Sequence, residues 1–456
     1  MLRFVDLFAG IGGLRKGLEV SLAKNDIGGQ CVFSSEIDAR AQETYRLNYG
    51  ETPSGDIREI DRLPDHDVLL AGFPCQAFSY AGRKKGFADT RGTLFFEIER
   101  LLSSSARKPK LLLLENVRGF ASHDGGRTYS TVMSRLLSLG YHVKPLLLNS
   151  SVFGVPQNRV RIYLVCTLGR PALMSIESDL GAADSHKHKR HLRQGALFGG
   201  NAKIRQVKDV LEKAVADKYW CTTAFSAQLK DALCGKDYEA LHGIRLIDYR
   251  GGNSIHSWDL GTKGHCSSEE RAFMNALIAN RRRKDFGREQ DGKMLTLEQI
   301  RTFWDKPGVE ELLMVLEKKG YIRRSDGKVN PTCGNMSFEV FKFLDPESIS
   351  ITVVSSDAHR LGIVQNGKPR RITPRECARL QGFPDDFILH PIDSWAYRQL
   401  GNSVSVPVVT AIVDDFLEHN PGFFARVRSV GPGLANRGGS AKALFGVGPG
   451  AVDSNS

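Results

Sequence analysis

The stretch "RFVDLFAGIGGLRKGLEVSL", residues 3–22, decides the reading of the fold. An apolar, β-branched run at 3–8 breaks at Gly10, Gly12 and Gly13, and leucines then recur at helical spacing to Leu22. A strand feeding a helix through a glycine turn opens an α/β unit, and the glycines let a ligand approach the helix N-terminus. The pattern departs from GxGxxG, because Arg15 stands where the third glycine belongs. A pyrophosphate loop is therefore disfavoured. Phe8, just before the turn, offers a ring to cover a purine.

The same alternation continues to residue 168. Strands are predicted at 31–35, 66–71, 111–114, 142–148 and 160–167, with helices at 13–22, 39–48, 93–102 and 128–139. This predicts an α/β, doubly wound, Rossmann-like domain whose sheet is parallel for most of its strands. Ligands of such sheets bind beyond the carboxyl ends of the strands. The residues placed there are Asp6, Glu36, Asp56, Cys75, Glu115 and Asn116. Glu36, ending the second strand, suits the two hydroxyls of a ribose. Asp56 suits an adenine amino group, whereas Asp38 reads better as a helix cap. Together with Phe8 and the glycines they describe a site for an adenosine without phosphates. S-adenosylmethionine fits that description better than a nicotinamide dinucleotide.

Composition sets outer limits. The chain has 456 residues, 41% hydrophobic and 25% charged, enough for two or three domains of about 100–200 residues each. No apolar run reaches about 18 residues and no secretory pattern opens the chain, so a soluble, cytoplasmic protein is expected, with no membrane partner. The net charge of +12 points to an anionic partner, nucleic acid first. Eight cysteines form no CxxC pair, which argues against a disulfide framework or zinc ribbon. His256 and His265 near Cys266 fit no zinc spacing, so no metal is expected.

Past residue 168 the order lapses. Residues 180–205 are polar and basic, as in a linker or a nucleic-acid-facing loop. Residues 296–331 read as two helical patterns followed by the hairpin "YIRRSDGKV". That is a winged-helix element with a basic wing, or equally two helices packed on the domain. Order returns with helices at 374–380 and 406–418, and the glycine-rich tail from 421 to 456 is expected to be disordered.

The motifs "DLFAGIGG", "GFPCQAFS", "ENV", "QNRVRIYLV", "RITPRECARLQGFPDDF" and "LGNSVSVPVV" together resemble, in order and spacing, those of the bacterial C5-cytosine DNA methyltransferases of type II restriction–modification systems. The resemblance covers about residues 1–168 and 371–410. It implies a catalytic domain of residues 1–168 completed by 397–420, with an irregular target-recognition domain inserted at 169–370 and a hinge or support at 371–396. It also implies transfer of a methyl group from S-adenosylmethionine to C5 of a cytosine flipped out of a specific double-stranded DNA sequence.

A lone cysteine is usually a small buried hydrophobe. Its place within "GFPCQ" makes Cys75, by resemblance, the thiolate that adds to cytosine C6 and turns the ring into an enamine. Glu115 is the matching acid for N3, and a closed apolar site should raise its pKa. Asn116 would orient the strand end. Arg159 and Arg161, two apart on a strand, face one side, and the resemblance puts Arg161 on the target base. The basic loop at 79–92, with Arg83, Lys84 and Lys85, fits a lid that grips phosphate. Cofactor contacts carry over to Phe8, Gly10, Ile11, Gly12, Glu36, Ile37, Asp56, Ile57, Pro74, Leu94, Asn402 and Val404. Ile37 stands where many members have tryptophan, so stacking on adenine should be weaker. In the insert, Arg250 is a candidate for guanine edges or phosphate and Asn253 for adenine.

A companion restriction endonuclease, paired in function without a stable complex, and a monomeric enzyme working at the nucleoid are further expectations. Three other readings compete. An RNA cytosine methyltransferase would share the motifs but needs no large basic insert. A silent DNA-binding relative would not need Cys75, Glu115 and Arg161 intact. A nicotinamide-dependent dehydrogenase explains none of the later motifs.

Overall fold

The computed structural model describes residues 1–74, 94–178, 205–249, 252–286, 294–332 and 338–424. The predicted linker at 180–205, the loop at 79–92, Cys75, Arg250 and the tail beyond 424 fall wholly or almost wholly outside them.

Strands β1 (Leu2–Leu7), β2 (Gly29–Ser35), β3 (Val68–Gly72), β4 (Leu111–Val117), β5 (Tyr141–Asn149) and β6 (Val160–Leu168) form one sheet in the order β2–β1–β3–β4–β6–β5. β1 pairs in parallel with β2 and β3, and β3 with β4; β6 alone runs against its neighbours β4 and β5. The chain leaves β1 through α1 (Gly13–Lys24) for β2, then returns through α2 (Ala39–Tyr49) to β3 on the other side. That reversal leaves a crevice beyond the ends of β1 and β3, where doubly wound sheets bind ligands.

The strands are buried on both faces, which is why "VLLAG" and "LLLLENV" read as unbroken apolar runs rather than alternation. On one side Leu2, Phe4, Val68, Leu70, Leu111 and Leu113 pack against Leu14, Leu18 and Leu22 of α1. On the other, Val5, Leu7, Leu69 and Leu112 pack against α3 (Leu94–Ser104) and α4 (Arg127–Ser138). β4 runs three residues past its predicted end, because Glu115, Asn116 and Val117 stay in ladder register with Tyr163, Ile162 and Arg161. Charge at a strand end did not stop pairing; it only turned the side chains into the crevice.

The insert contributes α5 (Thr223–Ala232), β7 (Arg245–Leu246), β8 (Ser254–Ile255), α6 (Ser268–Asn280), β9 (Leu295–Thr296), α7 (Leu297–Arg301), α8 (Val309–Lys318), β10 (Ile322–Ser325) and β11 (Lys328–Pro331). β12 (Lys342–Phe343), β13 (Leu361–Gln365) and β14 (Lys368–Arg371) join β7 and β8 in a second sheet, ordered β14–β13–β12–β7–β8. Then come α9 (Pro374–Gln381), α10 (Asp393–Asn402) and α11 (Val406–His419). Residues 371–396 are no loose hinge: Ile372, Cys377, Ala378 and Leu380 share a core with Leu361, Ile363 and Ile11 of the glycine turn. A bidentate pair, Arg370 Nη2 to Glu376 Oε1 at 2.6 Å and Nη1 to Oε2 at 2.9 Å, locks β14 to α9.

α11 lies along α1, burying Val408, Val409, Ile412 and Phe416 in the first core, each contributing about 1.5–3 kcal/mol. A Cβ on Gly17 would lie 2.5 Å from Val409 Cβ, so glycine sets how closely the two helices approach. The stretch Asp393–His419 is long and apolar enough to cross a membrane by composition, yet it is two helices broken at Ser403–Ser405 and packed inside the fold. Two expected boundaries shift. Ala172, Met174 and Ile176 pack into the first core, and Asp415 accepts from Ser175 N and Ile176 N at 3.1 Å, so the catalytic unit extends past 168. Phe423 packs edge-on and Phe424 tilted against Phe416, so the expectation of disorder from 421 is wrong for residues 421–424: aromatic burial holds them.

Candidate active-site cleft

The crevice is a cleft of about 840 Å³ walled by the glycine turn, the ends of β2, β3 and β4, β6 and the start of the C-terminal return. The turn takes its shape from left-handed backbone at Phe8 (φ 54°), Gly10 (φ 55°) and Gly12 (φ 82°). For Phe8 such a conformation costs on the order of 1–3 kcal/mol. Ala9 N donates to Ser35 O at 2.9 Å and holds it there. Glu36 spans the next gap: Oε2 accepts from Gly10 N at 2.8 Å and Oε1 from Asp38 N at 2.9 Å. Burial raises its pKa, opposed by those same amides. Nothing lies within 4 Å of a Cβ placed on Gly10, so that residue opens to the cleft.

Gly12 does not line the cleft. Its carbonyl accepts from Tyr49 Oη at 2.9 Å, and a Cβ there would strike the Tyr49 ring at 2.4 Å. Tyr49 is backed by the Arg15 guanidinium, 4.0 Å from the ring centroid. Arg15 is itself tied to Glu19 at 2.7 Å, Tyr45 Oη at 2.9 Å and Glu51. Arg15, in the place of the missing third glycine, thus braces the turn from behind. Nothing in a single sequence pairs Tyr49 with Gly12 across 37 positions.

The remaining proposed cofactor residues, Ile11, Ile37, Asp56, Ile57, Pro74, Leu94, Asn402 and Val404, all line the cleft with Phe8, Gly10 and Glu36. Ile37 stands 68% exposed at the rim. Asp56 accepts from Arg58 N at 3.0 Å and pairs with its guanidinium, which lowers its pKa. A Cβ on Gly13 would meet Ser403 Oγ at 2.5 Å. The C-terminal return therefore covers the N-terminus of α1, where a dinucleotide would place its phosphates. This arrangement suits a nucleoside without them.

On the opposite wall Glu115, with its side chain 12% exposed, sits 3.2 Å from Arg161 Nε. Burial raises the Glu115 pKa; Arg161 and Arg159 pull the other way. Asn116, fully enclosed, donates from Nδ2 to Phe73 O at 2.9 Å and accepts at Oδ1 from Val117 N at 2.8 Å. It fastens the end of β4 to the chain two residues before Cys75. Arg159 does not share the task of Arg161. It is buried, donates to Val353 O at 2.7 Å, to Gly401 O at 3.2 Å and to Ser403 O, and burial lowers its pKa to about 9. Gln157 extends that seam, accepting from Val353 N at 2.8 Å and donating to Leu380 O at 2.9 Å. Within "QNRVR", Gln157 and Arg159 clamp the return while Arg161 meets Glu115, a division that alternation alone does not reveal.

A family model for "C-5 cytosine-specific DNA methylase" matches residues 2–418. The chain belongs to that family. Over 419 residues, 92% of this methylase and 96% of its relative, it is 59% identical to type II methyltransferase M.BanI of Aneurinibacillus aneurinilyticus. It is 57% identical to M.HgiCI of Herpetosiphon aurantiacus, covering 92% of this chain and 98% of that one. The fold matches the S. pombe Dnmt2 methyltransferase with a TM-score of 0.50 at 20% identity, over 92% of this chain and 99% of that one. A methyltransferase of Entamoeba histolytica, EhMeth, matches with a TM-score of 0.51 at 17% identity, over 92% and 98% of the two chains.

Arg83, Lys84, Lys85, Cys75 and Arg250 lie outside the described residues. Asn253 is exposed in the turn before β8, its carbonyl accepting from Arg245 N at 3.4 Å. Arg398 and His123 also line the cleft and were not singled out from sequence. Among the described residues no cluster of His, Cys, Asp and Glu could hold a metal ion.

Proposed function

We propose that this methylase is a DNA (cytosine-5-)-methyltransferase that modifies a flipped cytosine within one short duplex sequence. The observation that carries the proposal is the Glu115–Arg161 pair, opening into the cleft that also holds Gly10 and Glu36. A carboxyl group whose pKa is raised by burial, beside a cationic donor, suits a ring that must accept a proton at N3 while its carbonyl oxygen is held.

S-adenosylmethionine would supply the methyl group as an electrophile on a sulfonium. Glu36 would hold the ribose hydroxyls, Asp56 and Ile57 would edge the adenine, and Phe8 and Ile37 would cover its faces. Cys75 would attack C6 as a thiolate, and Glu115 would give N3 its proton as that bond forms. Arg161 would orient the base. Asn116, through Phe73, would set where the Cys75 turn begins. Loss of the C5 proton after methylation would let the C6–S bond break and return the thiolate.

The names of the relatives, type II methyltransferases, support placing the enzyme in a restriction–modification pair that protects host DNA from a companion endonuclease. The enzyme would work in the cytoplasm as a monomer. The test is transfer of labelled methyl from S-adenosylmethionine to unmethylated genomic DNA by wild type and Cys75→Ser, followed by bisulfite sequencing. Transfer by wild type alone, confined to one motif, is expected. Transfer to RNA only, or equal transfer by Cys75→Ser, would overturn the reading.

A further inference from the structure

Residues 268–331 form a unit with its own core, in which Phe273, Leu277, Leu295, Leu313, Leu316 and Val329 are all buried. The order α6–β9–α7–α8–β10–β11 is that of a complete winged helix: one helix, a short strand, two more helices and a hairpin. β11 pairs antiparallel with both β10 and β9, which closes the three-stranded sheet. In such modules the helix before the hairpin usually enters the major groove. That helix is α8, and its exposed residues are Glu310, Glu311, Met314, Val315, Glu317 and, at its last position, Lys318. Three exposed carboxylates facing phosphate backbones would repel DNA. Two of them are already engaged, Glu317 with Arg324 Nε at 3.1 Å and Glu310 with Arg301 Nη2 at 3.3 Å, and Lys318 is the one exposed cation that α8 itself sets against this acidic face.

Most of the exposed cations lie elsewhere on the unit. Arg323 and Lys328 are exposed on the wing, and Arg282, Lys284 and Arg283, the last paired with Asp285 at 2.6 Å, are exposed just past α6. Arg281 joins the two groups: its Nη2 donates to Asn330 Oδ1 at 3.2 Å, and Asn330 stands opposite Arg323 in the ladder. We propose that this winged helix grips DNA phosphate with its wing and the end of α6, and keeps α8 out of the groove. The inference rests on duplex DNA being the substrate. It assigns the unit an anchoring task rather than base reading, which leaves sequence choice to other parts of the insert.

The test reads DNA binding, not methyl transfer, so its failure is distinct from that of the proposed reaction. Affinity for duplexes with and without the target motif is measured across a salt series for wild type, Arg323→Ala/Lys328→Ala and Glu310→Lys/Glu311→Lys. Removing two phosphate contacts should weaken both duplexes by about tenfold and lower the slope of log affinity against log salt by about two. The methylated motif and S-adenosylmethionine affinity should not change. The α8 reversal should alter affinity less than about threefold, whereas a helix seated in the groove would bind far more tightly once its like charges were reversed. An unchanged salt slope in Arg323→Ala/Lys328→Ala would overturn the proposal, as would a large gain in Glu310→Lys/Glu311→Lys.

Discussion

Replacing Glu115 by Gln separates its proton from its shape. Gln keeps the length of the side chain and an oxygen that can still accept from Arg161 Nε, 3.2 Å away, so the wall of the cleft should stand. What is lost is a donor able to protonate N3 as Cys75 adds. A positioned general acid contributes typically about 10²–10⁴-fold, or roughly 2.7–5.4 kcal/mol of transition-state stabilisation at 1.36 kcal/mol per decade. The loss should fall on kcat, with KM for S-adenosylmethionine unchanged, because the ribose and adenine residues lie on the opposite wall. Burial raises the Glu115 pKa. The wild-type rate should therefore decline as pH rises through that raised value, and Glu115→Gln should erase this limb. Stability gives the same sign. A carboxyl whose folded pKa exceeds its unfolded value of about 4.3 favours the folded state at low pH and loses that contribution as pH climbs through the folded value. Above that range Glu115→Gln should melt no lower than wild type, while below it the wild type should gain. Single-turnover methyl transfer from pH 5.5 to 9, beside thermal melts at the same pH values, checks both. A variant within threefold of wild type in kcat, or one retaining the high-pH decline, would refute the assignment of Glu115 as the acid.

Three other substitutions probe the frame around the site. Tyr49→Phe removes the donor to Gly12 O, a bond worth about 0.5–1.5 kcal/mol because Lys16 N still reaches that carbonyl; calorimetry should show S-adenosylmethionine binding weakened by about 2–12-fold with DNA affinity intact. Gly401→Ala puts a Cβ 2.2 Å from Ser355 N, backbone that has no room to yield, and should cost about 3 kcal/mol in a chemical melt. Asn116→Ala unties Phe73 and leaves its carbonyl unsatisfied; expected are a stability loss of about 1–3 kcal/mol and slower addition by Cys75, read as a fall in kcat at unchanged KM for S-adenosylmethionine.

Much of this was legible because local chemistry and periodicity agree in the first 168 residues. The glycine turn announced β1 and α1, and apolar runs located every strand of the main sheet. Glu36 and Glu115 stood at strand ends, where such sheets bind ligands, whereas Asp56 caps a short helical turn ahead of β3. Legibility failed where a role depends on a partner distant in sequence. Arg159 looked like a twin of Arg161, since two residues apart on a strand share a face. The structure gives that face two neighbours: Glu115 beside Arg161, and the carbonyls of Val353, Gly401 and Ser403 around Arg159. Gly12 read as a ligand contact and proved to be a packing site for Tyr49. α10 escaped notice because its buried residues, Ala396, Tyr397, Gln399 and Leu400, mix polar and apolar types.

The division of labour within "QNRVR" has a mechanical consequence. Arg159 and Gln157 hold the insert at Val353 and the C-terminal part at Leu380, Gly401 and Ser403, while Arg161, two residues on, holds Glu115. Ser403 and Val404 in turn close over Gly13 at the N-terminus of α1. The cofactor wall is therefore complete only once the last helices have docked against the first. The strand that clamps this return also carries Arg161, beside the proposed acid Glu115. A chain ending before α11 would keep nearly every residue of the sheet and still lack the wall made by Ser403 and Val404, because α11 supplies the burial that holds them there. A break inside the insert, between residues that fold into separate cores, leaves both sides of the clamp in place. The catalytic half should for that reason tolerate cutting in the insert far better than loss of its final helix.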